Sequence, residues 1–224
     1  MIAVVGNPVG TVRTGGIDAA GLPVAVARAA VAAGGAVQLI GKVGEGSGGD
    51  AILLSLAADG IGHAALLRDP GSAGIEPEPD SLAPDLGDGP LDELAGLAAS
   101  VGSGPGDART PLVSPTLEAA DLELALRYLP DYDVVVIAQP LDAAALGAVA
   151  DATRWAGAHL IVLGGADAAI PDAATLLEPP EEDVEGAFAT LVGRYAAALD
   201  TGTPADQAFA DASAAAGWVA AAAD

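Results

Sequence analysis

The chain has 224 residues, and its 31 Asp and Glu residues against 8 Lys and Arg residues give a formal net charge of −23. Such a surface repels nucleic-acid phosphates and anionic lipids, so we expect neither nucleic acid nor membrane among its partners. The sequence contains no cysteine, which excludes disulfides, thiolate metal ligands and cysteine nucleophiles. This length suffices for a sizeable core, and we expect residues 1–224 to form one domain.

The kind of charge also indicates the environment of the protein. Lys42 is the only lysine, and short carboxylates dominate the charged residues. At ordinary ionic strength so many like charges oppose compaction, whereas at about 1 M salt the Debye length is only about 3 Å. No apolar run is long enough to cross a bilayer, and Met1–Gly6 is typical of a first strand rather than of a signal peptide. We therefore expect an acidic, halophilic protein of the cytoplasm.

Strands and helices alternate in the first quarter of the chain. Residues 2–6 predict a strand, residues 7–16 a loop, and residues 22–33 a helix that Gly34 and Gly35 end.

A second strand is predicted at 36–40, and the glycine-rich loop 41–49 follows it. Asp50 is the expected N-cap of a helix at 51–59. The order strand, helix, strand, helix predicts an α/β fold with a mainly parallel sheet flanked by helices.

The middle of the chain has a different composition. Residues 70–115 are rich in Gly, Pro, Ser and Asp, and only 91–101 within them have a helical pattern. We expect an irregular surface excursion there. Regular patterns then return as a helix at 117–129, a strand at 134–138, a helix at 141–155, a strand at 159–163 and two closing helices at 184–199 and 204–223.

Aromatic residues and histidines give two further expectations. Trp155, Trp218, Phe188 and Phe209 lie at helical positions, so we expect them to pack in the core. The two histidines are far apart in sequence and have no cysteine or third histidine to join them, so we expect no metal site.

Two stretches of the chain resemble the signatures of one enzyme family. The first is Gly15–Ile61, with Gly15-Gly16, Gly34-Gly35 and Ile40-Gly41-Lys42-Val43-Gly44-Glu45. The second is Asp183-Val184-Glu185-Gly186-Ala187-Phe188 and the helices after it. Both are similar to the ribokinase-like (PfkB) carbohydrate kinases, whose closing signature reads Gly-Ala-Gly-Asp-Ala-Phe.

The resemblance implies a fold, an activity and a set of site residues. The implied fold is a shortened ribokinase-like domain with a reduced or missing lid, in which residues 70–115 replace part of the lid region. The implied activity is ATP-dependent phosphorylation of a sugar or nucleoside hydroxyl, with ATP and Mg²⁺ as cofactors if the protein is active and none otherwise. The implied substrate-binding residues are Thr11, Gly15, Gly16 and Gly44, and the implied nucleotide- and anion-binding residues are Gly186 and Ala187.

The closing stretch departs from the family signature. Gly186 stands where the family has its catalytic Asp, while Asp183 and Glu185 stand where it has glycines. Two carboxylates beside a triphosphate would repel it at close range. Asp183 and Glu185 are the candidates for a displaced base; the alternative is that these acids cap and charge a helix N-terminus. The cluster at 181–183 also has oxygen ligands for Mg²⁺, but in a chain this acidic such clusters arise from composition, so we favour a solvated acidic face.

Two functions remain open at this point. The first is a PfkB-type kinase homologue with weakened or lost catalysis, and the second is a non-catalytic ligand-binding or assembly protein on the same scaffold. Some relatives dimerise through a lid, so a homodimer stays open, although residues 70–115 offer no two clear strands for one. Lys42 is expected as an ion-paired or solvated loop cation, with contact to an anionic ligand as the alternative.

Overall fold

The computed structural model describes residues 1–13, 16–70, 75–76, 115–129, 131–165, 171–181, 183 and 186–217. The strands in these residues are β1 (Ile2–Val5), β2 (Val9–Arg13), β3 (Gly16–Ala20), β4 (Val37–Gly44), β5 (Gly62–Asp69), β6 (Ile75–Glu76), β7 (Val134–Ile137), β8 (His159–Leu163) and β9 (Thr175–Leu177). The helices are α1 (Leu22–Ala32), α2 (Ser47–Ala58), α3 (Ala119–Tyr128), α4 (Ala143–Ala156), α5 (Ala187–Asp200) and α6 (Ala205–Ala216).

The main sheet has six parallel strands in the order β5-β4-β1-β7-β8-β9. The central strand β1 places Ile2 beside both Val37 and Val134 in parallel register. All four residues of β1 are fully buried, as expected for a strand covered by helices on both faces. The predicted α/β fold with a parallel sheet flanked by helices is confirmed.

The two faces of the sheet form two hydrophobic cores. Side chains alternate along β1, so Ile2 and Val4 join one core and Ala3 and Val5 join the other. The first core is covered by α1, α2, α5 and α6, and the second by α3 and α4. The result is a three-layer arrangement that leaves the strand ends free to carry a site.

A second, smaller sheet lies beside the main one. Its order is β3-β2-β6, with β2 antiparallel to β3. The backbone N–H of Ala19 in β3 donates a hydrogen bond to the Ser55 hydroxyl of α2, at 3.0 Å. This bond attaches the small sheet to a helix of the main domain.

Several sequence expectations need correction at the start of the chain. The predicted loop 7–16 contains β2 and the start of β3, because these two segments pair antiparallel and tertiary pairing overrides local strand propensity. The predicted loop 41–49 contains the end of β4, and α2 begins at Ser47 with Gly46 as its N-cap. Asp50 therefore lies in the first turn of α2 and is not its cap.

The later elements agree better with the sequence. The strand predicted at 159–163 is β8 with the same bounds, and the helices predicted at 117–129 and 141–155 are α3 and α4 within two residues at each end. Strands β5 and β9 were not predicted. The helix expected at 91–101 lies outside the described residues. In the part of the chain that the structure describes, every helix is too short or too polar to cross a bilayer.

Candidate functional site

The strand order identifies the edge of the sheet where a ligand site is expected. Ligands of open α/β sheets bind at the carboxyl ends of the strands, where the strand order reverses. From β1 the chain proceeds to β4 and β5 on one side, and it later forms β7, β8 and β9 on the other. The reversal, called here the switch point, lies between β1 and β7. Asn7 and Gln139 each follow one of these strands by two residues.

Asn7 holds the switch point together with three hydrogen bonds. Its backbone N–H donates to Oε1 of Gln139 at 2.7 Å, and its Oδ1 accepts from the backbone N–H of Lys42 at 2.8 Å. Its Nδ2 donates to the carbonyl of Pro115 at 2.5 Å. Asn7 is only 7% exposed. Through its backbone N–H and its side-chain amide, Asn7 therefore connects β1, β4, β7 and the segment that leads to α3.

Lys42 is also held by protein groups. Its ammonium nitrogen donates to the carbonyl of Thr116 at 2.9 Å and lies 2.6 Å from Oδ2 of Asp121. The side chain is 18% exposed. The interpretation of Lys42 as an ion-paired cation is confirmed, and its charge is already balanced.

The side-chain amide of Gln139 has a donor, Nε2, that its hydrogen bond with Asn7 does not use. A backbone N–H can only donate, so its bond from Asn7 fixes the orientation of the Gln139 amide with oxygen toward β1. The Nε2 group makes no hydrogen bond within the described residues, and Gln139 is half-buried. A donor that is fixed in place beside the switch point can bind a hydroxyl or carbonyl of a ligand.

The backbones of β1 and β4 approach each other closely beside these residues. A Cβ atom on Gly41 would lie 2.4 Å from the carbonyl oxygen of Gly6. A Cβ on Gly6 would lie 2.4 Å from Cγ of Pro23, and Gly6 has φ +159°. Glycine at these two positions lets α1 and β4 close around the end of β1.

The N-terminus of α5 lies at the same edge as the switch point. Asp200, the last residue of α5, contacts the Met1 ammonium at 2.5 Å, which places the end of this helix at the amino edge of β1. Fourteen helical residues extend about 21 Å, enough to traverse the sheet. The first residues of α5 therefore reach the carboxyl edge.

Asp183 occupies the N-terminus of α5. Its Oδ1 accepts a hydrogen bond from the backbone N–H of Phe188 at 3.0 Å, and its Oδ2 accepts one from the N–H of Ala189 at 3.1 Å. The N–H of Gly186 donates to the Asp183 carbonyl at 3.0 Å and closes the turn, in which Gly186 has φ +67°. The capping alternative for Asp183 is confirmed: its carboxylate uses the amides that a free helix N-terminus offers to an anion.

The predicted substrate-binding residues fall in different parts of the structure. Thr11 is half-buried in β2, and Gly16 is exposed at the start of β3, so both belong to the small sheet. Gly44 is buried at the end of β4, and its carbonyl accepts a hydrogen bond from Arg68 at 3.2 Å. Gly15 lies outside the described residues.

The predicted catalytic and anion-binding residues are only partly described. Gly186 and Ala187 are at the start of α5 beside Asp183, as their order in the chain requires. Glu185 lies outside the described residues. Among the residues that the structure describes, no group of three His, Asp or Glu side chains could hold a metal ion.

Sequence reasoning missed Asn7 and Gln139. Each lies two residues after a buried apolar strand, which is a signal for a site residue in a parallel sheet. Only the adjacency of β1 and β7 distinguishes this pair from the other polar residues after strands, and adjacency is a property of the topology.

The architecture is similar to that of solved sugar and nucleoside kinases. Ribokinase from Arabidopsis thaliana, solved with ribose and ATP, matches with a TM-score of 0.60 at 15% identity, covering 96% of this chain and 90% of that chain. Aminoimidazole riboside kinase from Salmonella enterica, solved with aminoimidazole riboside and an ATP analogue, matches with a TM-score of 0.58 at 13% identity, covering 96% and 90%. An E. coli protein described as ribokinase II, solved with ATP and Mg²⁺, matches with 0.58 at 14% identity, covering 96% and 91%.

These likenesses concern the fold. No protein-family sequence model matches the chain, and no curated protein matches it by sequence. The expected ribokinase-like α/β fold is confirmed by the structural matches.

Proposed function

Because the chain has the ribokinase-like fold, we propose that it is a PfkB-type carbohydrate kinase homologue that binds a sugar or nucleoside and has weakened or lost phosphoryl transfer. One observation carries the second part of this proposal. The Asp183 carboxylate accepts hydrogen bonds from the amides of both Phe188 and Ala189.

A helix N-terminus binds phosphate through free backbone N–H groups and the helix dipole. At α5 the Asp183 carboxylate already takes two of these groups. A phosphate arriving there must displace the carboxylate or lie beside it, and two unit charges 4 Å apart repel by about 4 kcal/mol at an effective dielectric constant of about 20. With Asp183 bound to these amides, the first turn of α5 does not fit a nucleotide phosphate.

The position of the catalytic base supports the same proposal. Gly186 stands where the resembling family has its Asp, and glycine has no group that can accept a proton. The loss of a general base alone lowers a rate by about 10²–10⁴-fold. Asp183 is a poor replacement because both of its oxygens already accept hydrogen bonds from the helix. Glu185 remains a candidate base from the sequence.

The ligand-binding half of the proposal rests on the switch point. Gln139 offers a fixed amide donor there, next to a rigid set of backbone and side-chain contacts made by Asn7. Neutral polar donors of this kind suit the hydroxyls of a sugar or a nucleoside. Ribose and aminoimidazole riboside are bound by two proteins of this fold, which is why we propose this ligand class for the chain.

A non-catalytic ligand-binding or assembly role is the second candidate function, and the same Asp183 contact favours it. Under this alternative the protein retains a ligand at the switch point but performs no phosphoryl transfer. ATP and Mg²⁺ would be cofactors only of an active form.

A coupled assay of ADP release tests the proposal. The protein is incubated with Mg-ATP and a panel of sugars and nucleosides in multimolar KCl, and thermal shift with the same panel measures ligand binding. The expected result is stabilisation by one or more panel members without ADP release. Turnover in the usual enzymatic range of about 1–10³ s⁻¹ would contradict the loss of catalysis.

Two variants sharpen this assay. Asp183→Gly frees the amides of Phe188 and Ala189, and combining it with Gly186→Asp adds a carboxylate at the family's base position. We expect ADP release from the double variant to exceed that of the wild type. Asp183→Asn is the matched control, because the asparagine oxygen can still cap the helix without the charge.

A further inference from the structure

An open groove of about 860 Å³ lies between α3 and α4, on the opposite edge of the sheet from the switch point. We call it the α3–α4 groove. Its lining comes from both helices and from the segment 131–133 that leads into β7. The ligand site of the proposed function lies at the other edge of the sheet and does not include this surface.

The floor of the groove is mainly apolar and buried. Leu126, Leu129 and Tyr132 form it, and each is at most 9% exposed. On the opposite wall, Ala148 and Ala152 lie one helical turn apart on α4. Their short side chains leave space between the two helices, which is the reason that a groove exists here.

The rim of the groove carries an exposed tryptophan. Trp155 is 92% exposed, and the expectation that it packs in the core is wrong. The buried face of α4 is formed by Ala145, Val149 and Thr153, and Trp155 lies two residues beyond Thr153, away from that face. A large aromatic side chain left in water beside an apolar groove is typical of an interaction surface, where Trp, Tyr and Arg dominate the binding energy.

The lining of the groove is also negatively charged. Among the residues that the structure describes, its lining contains four carboxylates, from Glu123, Asp131, Asp133 and Asp151, against one guanidinium, from Arg127. Helices α3 and α4 both end at this edge, so their C-terminal carbonyls add negative partial charge.

Two of these carboxylates have partners outside the groove lining. Asp133 contacts the Met1 ammonium at 2.9 Å, and Asp151 contacts Arg154 at 2.6 Å. In the described ranges, Glu123 and Asp131 make no ion pair. The groove thus combines unpaired carboxylates with an aromatic face, and this combination suits a cation that also has an apolar stem.

We propose that the α3–α4 groove is a docking site for a basic segment of a partner protein, with an Arg or Lys side chain stacked on Trp155 and an aliphatic side chain on the Leu126–Leu129 floor. Charge complementarity selects this occupant. A second copy of the chain would bring another net charge of −23 to an already acidic surface. A basic polypeptide satisfies the carboxylates and covers the tryptophan at once.

Two fluorescent peptides of equal length and charge test the proposal, one repeating Arg-Leu-Ala and one repeating Arg-Gly-Ser. Binding is followed by fluorescence anisotropy at the lowest KCl concentration at which circular dichroism shows a folded protein. The Arg-Leu-Ala peptide is expected to bind at least tenfold more tightly than the Arg-Gly-Ser peptide. Trp155→Ala is expected to weaken binding of both peptides severalfold, because both carry the Arg that stacks on the ring, and Trp155→Phe is expected to retain most of the affinity.

Matched controls separate the groove from the general charge of the protein. The pair Glu123→Gln and Asp131→Asn is expected to weaken peptide binding severalfold, and asparagine is compatible with the positive φ of Asp131. The pair Asp172→Asn and Asp211→Asn removes equal charge from exposed positions elsewhere and is expected to have a smaller effect.

The proposal is overturned if Trp155→Ala binds both peptides as the wild type does, or if the control pair weakens binding as much as the groove pair. Sedimentation equilibrium provides the remaining test. A wild-type dimer that Trp155→Ala dissociates would show that the occupant is a second copy of the chain and would overturn the proposal. A monomer with Trp155-dependent peptide binding supports it.

Discussion

The Asp183 carboxylate accepts a hydrogen bond from the backbone N–H of Ala189, 3.1 Å away, at the first turn of α5. This turn lies at the carboxyl edge of the sheet, where ligands of open α/β sheets bind. A side chain of the protein thus takes the place that a bound anion would take. The effects of this Asp183 contact on stability and on ligand binding can be measured separately.

Replacing Asp183 removes an N-terminal cap. We expect Asp183→Ala to lower the free energy of unfolding by about 1 kcal/mol, as loss of a capping side chain does elsewhere. Urea denaturation measures this change. Asp172→Ala, at an exposed position without a described hydrogen bond, is the control and is expected to have little effect. Equal stability of Asp183→Ala and the wild type would contradict the capping role.

Asn7 is expected to matter more for stability than Gln139. Asn7→Ala removes the acceptor of the Lys42 N–H and the donor to the Pro115 carbonyl in a site that is 7% exposed. Each buried polar group left without a partner costs about 1–3 kcal/mol.

Gln139→Ala is the comparison variant for Asn7→Ala. It removes only the acceptor of the Asn7 N–H, and Gln139 is half-buried, so water can replace that acceptor. We therefore expect a smaller loss of stability from Gln139→Ala and, in the thermal-shift panel, loss of ligand-induced stabilisation. A larger destabilisation by Gln139→Ala than by Asn7→Ala would contradict the assignment of Asn7 as the connector.

Gly41 and Gly147 provide a matched pair of glycines. A Cβ at Gly41 would lie 2.4 Å from the Gly6 carbonyl oxygen, so Gly41→Ala is expected to destabilise the protein by about 1–3 kcal/mol. A Cβ at Gly147, within α4, meets nothing within 4 Å, so Gly147→Ala is expected to stabilise by about 0.5–1 kcal/mol. Thermal unfolding of both variants checks the opposite signs.

Elements that depend on local sequence patterns could be predicted from the sequence, whereas elements that depend on contacts between distant residues could not. The buried strands were recognisable because β1 and β7 are continuous apolar runs, and the helix at 22–33 was recognisable from its alanines and the Gly34-Gly35 stop. The hairpin of β2 and β3 was missed because glycines and small residues interrupt its apolar positions, and only pairing with each other and packing on α2 makes these residues strands.

The residues of the candidate site likewise divide into those fixed by local contacts and those fixed by long-range contacts. Capping of α5 by a nearby acid is a local effect, and it was among the alternatives for Asp183. The bond from Asn7 to Gln139 joins residues 132 positions apart, and no local pattern specifies it. Trp155 was misplaced because a helical aromatic was assumed to face inward, whereas its angular position on α4 turns it outward.

The pH dependence of stability has a predicted sign. Burial lowers the pKa of the Met1 ammonium, but the carboxylates of Asp200 and Asp133 raise it more, so its pKa lies above the usual 8.0. Burial also raises the pKa of Tyr132 above 10.0. In both cases the folded state retains its proton longer than the unfolded state, so stability is fully present below about pH 8 and falls as the pH rises through the folded-state pKa values.

Urea denaturation at about pH 7 and about pH 9.5 checks this sign. We expect the wild type to lose stability between the two values, and Asp200→Asn to lose less because the Met1 pKa is then raised less. Asp172→Asn is the control for a general change of charge. A wild type that is more stable at the higher pH would contradict the assignment.

The net charge of −23 predicts a requirement for salt. The Debye length is about 10 Å at 0.1 M salt and about 3 Å at 1 M, so self-repulsion among the surface carboxylates decreases over this range. We expect the thermal midpoint to rise steadily with KCl concentration into the molar range. A midpoint that is independent of KCl would contradict the halophilic interpretation.

The most direct test of the central claim is calorimetric titration of the wild type and of Asp183→Gly with Mg-ATP, in multimolar KCl and with folding verified by circular dichroism. If the Asp183 carboxylate blocks the N-terminus of α5, the wild type shows no heat of binding at micromolar protein, and Asp183→Gly binds the nucleotide measurably more tightly. Micromolar binding by the wild type that Asp183→Gly leaves unchanged would contradict the claim.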